Sequence, residues 1–323
     1  MRRADFSAPQ KPGGSGPETG AAYGIPRSRV YLKEGPWLTL FDFLCERFPR
    51  LSPETLLQRL AAGDMVDDAG RAQRPDEPYR AGQWLWYYRE VPDETPVPFE
   101  VPVLYRDARL LVVDKPHFMA TAPSGPYLLH TALVRMRREL DLPDLSPIHR
   151  LDRDTAGVLM FCIDPAWRGR YQSLFQAREV HKEYEAVAAA QPPVVLPMTY
   201  RSRLEERPGS FLMREIPGEP NSETRIELLR SLAGSELAHL RLLPITGRKH
   251  QLRAHMRALG MPIVNDAFYH PDLENEPGDP PGQKRFEKPL QLLARAVEFR
   301  DPVEGRLQRF ESRRVLQEVA AAG

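Results

Sequence analysis

At 323 residues, 41% of them hydrophobic, the chain is long enough for two folded domains and carries enough apolar material for a real core. A formal net charge of +1 excludes a protein that coats nucleic acid through bulk positive charge, so any polyanion must be met by a local basic patch. Only two cysteines are present, Cys45 and Cys162, and neither sits in a CxxC or His-rich spacing, which argues against a disulfide framework or zinc; with no apolar run near the ~20 residues of a membrane span and no signal-like leader, a soluble cytoplasmic protein is expected.

Residues 1–30 contain KPGGSGPETG and no hydrophobic periodicity, and read as an unstructured tail. A small domain is expected over 31–91. Leu40, Phe43, Leu44 and Phe48 recur at helical spacing behind a Thr39 N-cap with Asp42 three residues on, and a second helix starts at Ser52-Pro53, with Leu56, Leu57 and Leu60 on one face and Gly63 at its end. Met65-Val66 and the aromatic run Gln83–Tyr88 then suggest a small hairpin. Residues 92–102 lie in the proline-rich VPDETPVPFEVP and predict an extended linker to a larger domain over 103–323. There, Leu110–Val113 reads as a buried strand ending near Lys115, and Leu128–Leu140 as a helix whose Arg135, Arg137 and Arg138 make a solvated face.

Three stretches carry the chemistry. SPIHRLDRDTAGVLMF, from Ser146 to Phe161, sets Asp152 among His149, Arg150 and Arg153, just before Gly157 and a buried strand. Opposite charges keep such an acid ionised, and an ionised, partly dry carboxylate is a nucleophile of the type that attacks sugar carbons; a surface ion pair is the plainer alternative. Val180–Ala188, VHKEYEAVA, alternates as a strand with Lys182, Tyr184, Ala186 and Ala188 on one face, where a tyrosine is ordinarily a rim residue. ITGRKHQLRAHMRA, from Ile245, holds four full positive charges and no acid between Arg248 and Arg257. A helix through it would align Lys249, Arg253 and Arg257 as a basic stripe suited to phosphate. His250 and His255, five apart, are a poor metal pair, so no metal is expected.

HRLDRDTAG followed by an apolar strand resembles the signature of the RluA-type pseudouridine synthases, and the Lys-x-Tyr pair and TGRKHQLRAH resemble that family's later motifs in the same order. LLVVDKP at Leu110–Pro116, GMPIVNDAFY at Gly260–Tyr269 (with Asn265 where the family has Gly) and the closing segment from Leu290 (with Leu293 in place of His) extend the resemblance over about Leu104–Phe310. The two helices and hairpin at the start loosely resemble a small RNA-binding domain shared with a ribosomal protein, although only Arg50 and Arg59 are at hand to serve it.

The resemblance implies an α+β fold with a central, mostly antiparallel sheet, flanking helices and a cleft, plus the small N-terminal α/β appendage. It implies isomerisation of uridine to pseudouridine in a structured ribosomal or transfer RNA, with Asp152 as catalytic nucleophile, Tyr184 against the base and Arg253 paired with Asp152. The base would be flipped out of its stem. Arg150, filling the gap, together with His149, Arg248, Lys249, Arg257 and Lys115, is expected to meet the RNA. No cofactor is implied, RNA is the one partner, and a monomer is expected. Two rivals stay open: a carboxylate-dependent N-glycosidase, which would need Asp154 to activate water, and a non-catalytic RNA-binding protein. The acidic, proline-rich stretch at 270–289 would fence the cleft or do nothing.

Overall fold

The computed structural model describes residues 25, 27–49, 51–89, 94–190, 194–207, 210–269 and 286–322. Arg50, nearly all of the tail and residues 270–285 of the acidic stretch therefore lie outside the described residues. The chain divides into two units, Met1–Pro92 and Asp93–Gly323.

The first unit runs β1 (Ser28–Tyr31), α1 (Leu40–Arg47), α2 (Pro53–Ala61), β2 (Met65–Val66) and β3 (Trp84–Tyr87), with its strands in the antiparallel order β1-β3-β2. Thr39 and Asp42 form the expected capping box: Thr39 Oγ1 accepts from the Asp42 N–H at 3.1 Å, and the Asp42 carboxylate accepts from the Thr39 N–H at 2.9 Å. Ser28–Val30 fall in the stretch read as a tail, yet β1 pairs along β3 and buries Val30. Arg59, counted as a residue for RNA, is buried and donates to the Tyr88 carbonyl.

The second unit runs β4 (Val103–Arg106), β5 (Leu110–Lys115), α3 (Ala132–Leu140), β6 (Ser146–Pro147), β7 (Ala156–Cys162), α4 (Arg168–Gln176), β8 (Val180–Ala189), β9 (Met198–Glu206), β10 (Met213–Ile216), β11 (Ser222–Ser231), β12 (Leu237–Pro244), α5 (Gln251–Ala258), β13 (Leu292–Arg300), β14 (Leu307–Glu311) and α6 (Gln317–Ala321). Eleven strands form one sheet in the order β10-β9-β11-β12-β8-β13-β7-β5-β4, with β14 on β13 and β6 on β7. Among the described strands only β13 and β7 pair in parallel. This is the mixed α+β architecture, dominated by a mostly antiparallel sheet, that the resemblance implies.

The continuous apolar runs of β5 and β7 are explained by cover on both faces, as for strands in the middle of a layered fold. Leu111, Val113, Leu159 and Phe161 pack under α3 through Leu133 and Met136, while Leu110, Val112, Val158 and Met160 pack under α4 through Tyr171 and Leu174. On β8 the period of two holds: Ala186 and Ala188 face Leu252 and Met256 of α5.

The stretch read as a linker is packed. Val97 and Val101 are buried in the core, Arg135 of α3 donates to the carbonyls of Val97 and Phe99, and the Glu94 carboxylate accepts from the N–H groups of Leu129 and His130 at 3.0 and 2.9 Å. Arg137 likewise donates to the Leu145 carbonyl. The face of α3 expected to be solvated thus spends two of its three arginines on backbone carbonyls. Their long stems pack while their heads satisfy loop groups that no strand partner reaches.

Gly157 explains itself at the crossing of β7 and β13. Its φ is +114°, and a Cβ there would lie 2.2 Å from the Ala294 carbonyl oxygen, a backbone atom that cannot swing away. Gly157→Ala should therefore cost about 3 kcal/mol or more of folding stability, read as a lower urea midpoint at an unchanged slope. A midpoint equal to the parent's would mean that the strand crossing is looser than described.

Candidate active site

Asp152 sits in the loop between β6 and β7, and each of the four carbonyls from Leu151 to Asp154 has its own anchor. Thr121 Oγ1 donates to the Leu151 carbonyl at 2.8 Å and accepts the Leu151 N–H at 3.0 Å. The Thr155 N–H donates to the Asp152 carbonyl at 3.2 Å, Lys115 Nζ to the Arg153 carbonyl at 3.2 Å, and His117 Nδ1 contacts the Asp154 carbonyl at 2.7 Å. With Leu151 buried beneath it, the loop has little freedom left, and the Asp152 side chain projects from it 24% exposed. A carboxylate held this way loses little further freedom on reacting.

Arg253 comes to Asp152 from the buried side of α5. Its Nη1 lies 3.7 Å from Asp152 Oδ2, an ion pair just beyond hydrogen-bond length. The other side of the guanidinium is locked: Nε and Nη2 donate to Asp266 at 2.8 and 2.6 Å, and the Phe268 and Tyr269 rings lie with their centroids each 5.3 Å from it. Asp266, fully buried, also accepts the N–H groups of Phe268 and Tyr269, both at 3.0 Å. Burial works against the charge on Arg253, but Asp266, then Asp152 and Asp154, outweigh it and push its pKa above that of a free guanidinium. On the other oxygen, His250 Nε2 lies 3.9 Å from Asp152 Oδ1.

Tyr184 lies on β8, partly buried between the core beneath α3 and the core beneath α5. Burial and then the charge of Asp152 push its hydroxyl pKa well above the usual value, so the phenol stays neutral. Asp152, Tyr184 and Arg253, picked from three separate stretches, are thus brought together.

The residues expected to meet RNA divide. Arg150 is exposed, with no ion pair or side-chain hydrogen bond among the described residues; Arg248 is exposed, its side chain donating to the Asn221 carbonyl at 3.2 Å; Lys249 is exposed and pairs with Glu206 at 2.9 Å. These three remain open to a phosphate. Lys115 is not open to one, being fully buried, its Nζ donating to the carbonyls of Pro116, Met119 and Arg153 at 3.0, 2.7 and 3.2 Å. Burial pulls its pKa down to about 7 against the pull of Asp154 and Asp152, while three carbonyl acceptors match the three hydrogens of the ammonium form. His149 is not open to RNA either: its Nε2 accepts the Met160 N–H at 3.1 Å, its ring stacks on Phe175, and burial holds its pKa at about 3, so it is a neutral stand-in for a strand contact.

Arg257 donates to the Tyr269 carbonyl at 2.9 Å and is partly buried. The expected stripe does not form. Helix α5 begins only at Gln251, which leaves Lys249 in the preceding turn and Arg253 pointing inward. The cause is Gln251, whose Oε1 accepts from the Arg248 N–H and the Thr246 hydroxyl at 3.0 and 2.7 Å while its Nε2 donates to the Glu223 carbonyl and to Thr224. His255 turns away from His250 to Thr224 and Ser222, and no group of three or more His, Cys, Asp or Glu side chains suited to a metal occurs among the described residues.

Four contributors were missed: Thr121, His117, Asp266 and Tyr269. A signal existed for Asp266, because an arginine on the same helix face as Leu252 and Met256 must have a buried counter-charge. None existed for Thr121 or His117, whose partners are backbone carbonyls 30 and 37 residues away. Asn265 adopts φ +61°, the left-handed region that asparagine tolerates best after glycine, so it can stand where the family has Gly. Leu293 is buried in an apolar cluster with Ala156, Val187 and Leu316, where a His would find no polar partner in that cluster.

A family model described as RNA pseudouridylate synthase matches residues 109–258, spanning Asp152, Tyr184 and Arg253. The chain is 30% identical over 272 residues to the ribosomal large subunit pseudouridine synthase D of Xylella fastidiosa, covering 80% of each. It is 36% identical over 172 residues to the dual-specificity RNA pseudouridine synthase RluA of Escherichia coli strain K12, covering 52% of this chain and 76% of that one. Among solved structures, human RNA pseudouridylate synthase domain containing 1 superposes with a TM-score of 0.53 at 24% identity, over 68% of this chain and 86% of its own, a likeness of fold. The chain belongs to the RluA-type RNA pseudouridine synthases, isomerases that convert uridine to pseudouridine in RNA.

Proposed function

We propose that Asp152 is the reacting carboxylate, that Arg253 orients and balances it, and that Tyr184 is the surface against which the target base lies. The observation that carries this reading is the pairing of a partly exposed Asp152 with a buried arginine whose remaining donors are committed to Asp266. The reaction breaks the bond from N1 to the ribose carbon, forms one from C5 to the same carbon, and moves a proton from C5 to N1. Nothing is oxidised and no group leaves the nucleotide, so the chemistry asks for no cofactor or metal. Asp152 serves it by attack on the ribose or the base, or by drawing a proton from the ribose.

The substrate we propose is a uridine in a structured ribosomal or transfer RNA, in keeping with relatives named for dual specificity and for the large ribosomal subunit. The nucleotide would be flipped out, at a few kcal/mol of unstacking, with Arg150 entering the gap and Arg248 and Lys249 meeting phosphates. No helix among the described residues is long and apolar enough to cross a membrane, and we propose a monomer working in the cytoplasm. Asp154, the base that the hydrolytic rival needs, lies with Oδ1 2.9 Å from Arg153 Nε, an ion pair that competes with water for that oxygen.

Asp152→Asn should abolish pseudouridine formation on a defined RNA while binding survives within about tenfold, ~1.4 kcal/mol; turnover by this variant would sink the assignment. Asp266→Asn leaves the buried guanidinium short of a counter-charge. A stability loss of about 3 kcal/mol and a fall in kcat are expected, measured by denaturant melts and initial rates, and parent-like values in both would refute the role given to Asp266. Arg150→Ala and Arg248→Ala should raise KM and lower the salt slope of RNA binding by about one each. Unchanged slopes would move the phosphate contacts elsewhere.

A further inference from the structure

His250 is not used by the chemistry above, yet its placement is costly and specific. Its φ of 51° puts a bulky residue in the left-handed region, and it occupies the N-cap of α5 without making a side-chain cap bond. Serine, aspartate or asparagine would serve the helix better there. The ring is turned instead toward Asp152, with Nε2 3.9 Å from Oδ1, and its side chain is 9% exposed.

The far edge of the ring is set by Tyr269. The Tyr269 hydroxyl oxygen accepts the Met213 N–H at 2.7 Å and lies 3.0 Å from His250 Nδ1. The Met213 N–H takes one lone pair of the phenol oxygen, which leaves its single hydrogen available for donation to Nδ1. With the phenol as donor, the neutral imidazole carries its own hydrogen on Nε2, the nitrogen beside Asp152. Phe211 and Tyr269 close on the ring edge-on, with centroids 6.0 and 5.6 Å away.

We propose that His250 is a positioning residue for the isomerisation, its Nε2–H closing on Oδ1 of Asp152 while Arg253 holds Oδ2, so that the carboxylate is gripped through both oxygens with the Tyr269 hydroxyl presetting the tautomer. The inference rests on the reading of Asp152 as the reacting group. The gap to be closed is about 1 Å, of the kind that tightens when substrate binds. The charged and titratable groups facing the ring are Asp152 from the loop, Arg253 from α5, Lys249 from the turn before it, and Asp266 and Tyr269 from the segment after it. Burial lowers the His250 pKa below the usual 6.5; Asp152 and Asp266 oppose this, and Arg253 and Lys249 add to it. The ring is therefore neutral at neutral pH. Below that depressed pKa the ring becomes an imidazolium beside Asp152.

The test uses the full chain and a defined RNA stem-loop, with kcat and KM measured from pH 5 to 8.5. His250→Asn keeps the left-handed turn, since asparagine tolerates it, but is too short to reach Asp152. It should lower kcat about 10- to 100-fold with KM within twofold. His250→Gln offers an amide N–H of greater reach and should recover part of the loss. Tyr269→Phe should lower kcat in the same direction. A kcat for His250→Asn within twofold of the parent, a loss confined to KM, or no recovery in His250→Gln would overturn the proposal. If Asp152→Asn is dead while His250→Asn is unimpaired, only this inference fails; turnover by Asp152→Asn sinks the Asp152 reading and this one with it.

Discussion

The site is organised by one buried guanidinium shared between two carboxylates. Taking a charge out of water is costly, and a buried ion pair seldom adds net stability over apolar packing. What the Arg253 fork contributes is geometry: Asp266 takes Nε and Nη2 in a bidentate pair, Phe268 and Tyr269 flank it, and Nη1 is left aimed at Asp152. Because Asp266 already neutralises most of the arginine, Asp152 is steadied by a charge that does not quench it. The longer distance to Asp152, 3.7 Å against 2.6 and 2.8 Å to Asp266, fits that division.

The rest of the unit holds this arrangement still. Thr121, Thr155, Lys115 and His117 take the four consecutive carbonyls from Leu151 to Asp154, so the Asp152 backbone cannot drift. Beneath it, β7 and β8 both lie against β13, one in parallel and one antiparallel, which brings the strand following Asp152 and the strand carrying Tyr184 to either side of a common neighbour. Gly157 permits the close approach of β7 to β13. The placement of the Asp152 loop and the packing of the sheet thus meet at the approach of Gly157 to Ala294.

Surface charge and site charge also separate cleanly. Arg150, Arg248 and Lys249 stay exposed on loops and turns, as suits contacts that position a phosphate backbone, while Lys115, His149, Arg253 and His255 are turned inward and spent on carbonyls, amides, hydroxyls or one acid. A cluster of cations in the sequence is therefore two populations in the fold. A net charge of +1 is compatible with RNA binding because so few of the cations need to face outward.

Much of this was legible in the chain itself. Periodicity and capping located α1, α2, β5, β7 and β8, because those signals are local: a capping box at Thr39 and Asp42, a period of two through Tyr184, Ala186 and Ala188. Three motifs named Asp152, Tyr184 and Arg253 before any geometry was known. Tertiary structure alone decided the rest. Lys115 and His149 share the charged or imidazole character of RNA-binding residues, but their burial depends on carbonyls and amides supplied by other segments. Val97 and Val101 sit among prolines that suggested a linker, and only the core they enter shows otherwise. Composition and spacing record which groups a residue can pair with; which partner it meets is set by the packing that brings distant backbone to it, and at Arg253 that packing chose Asp266 first and Asp152 second.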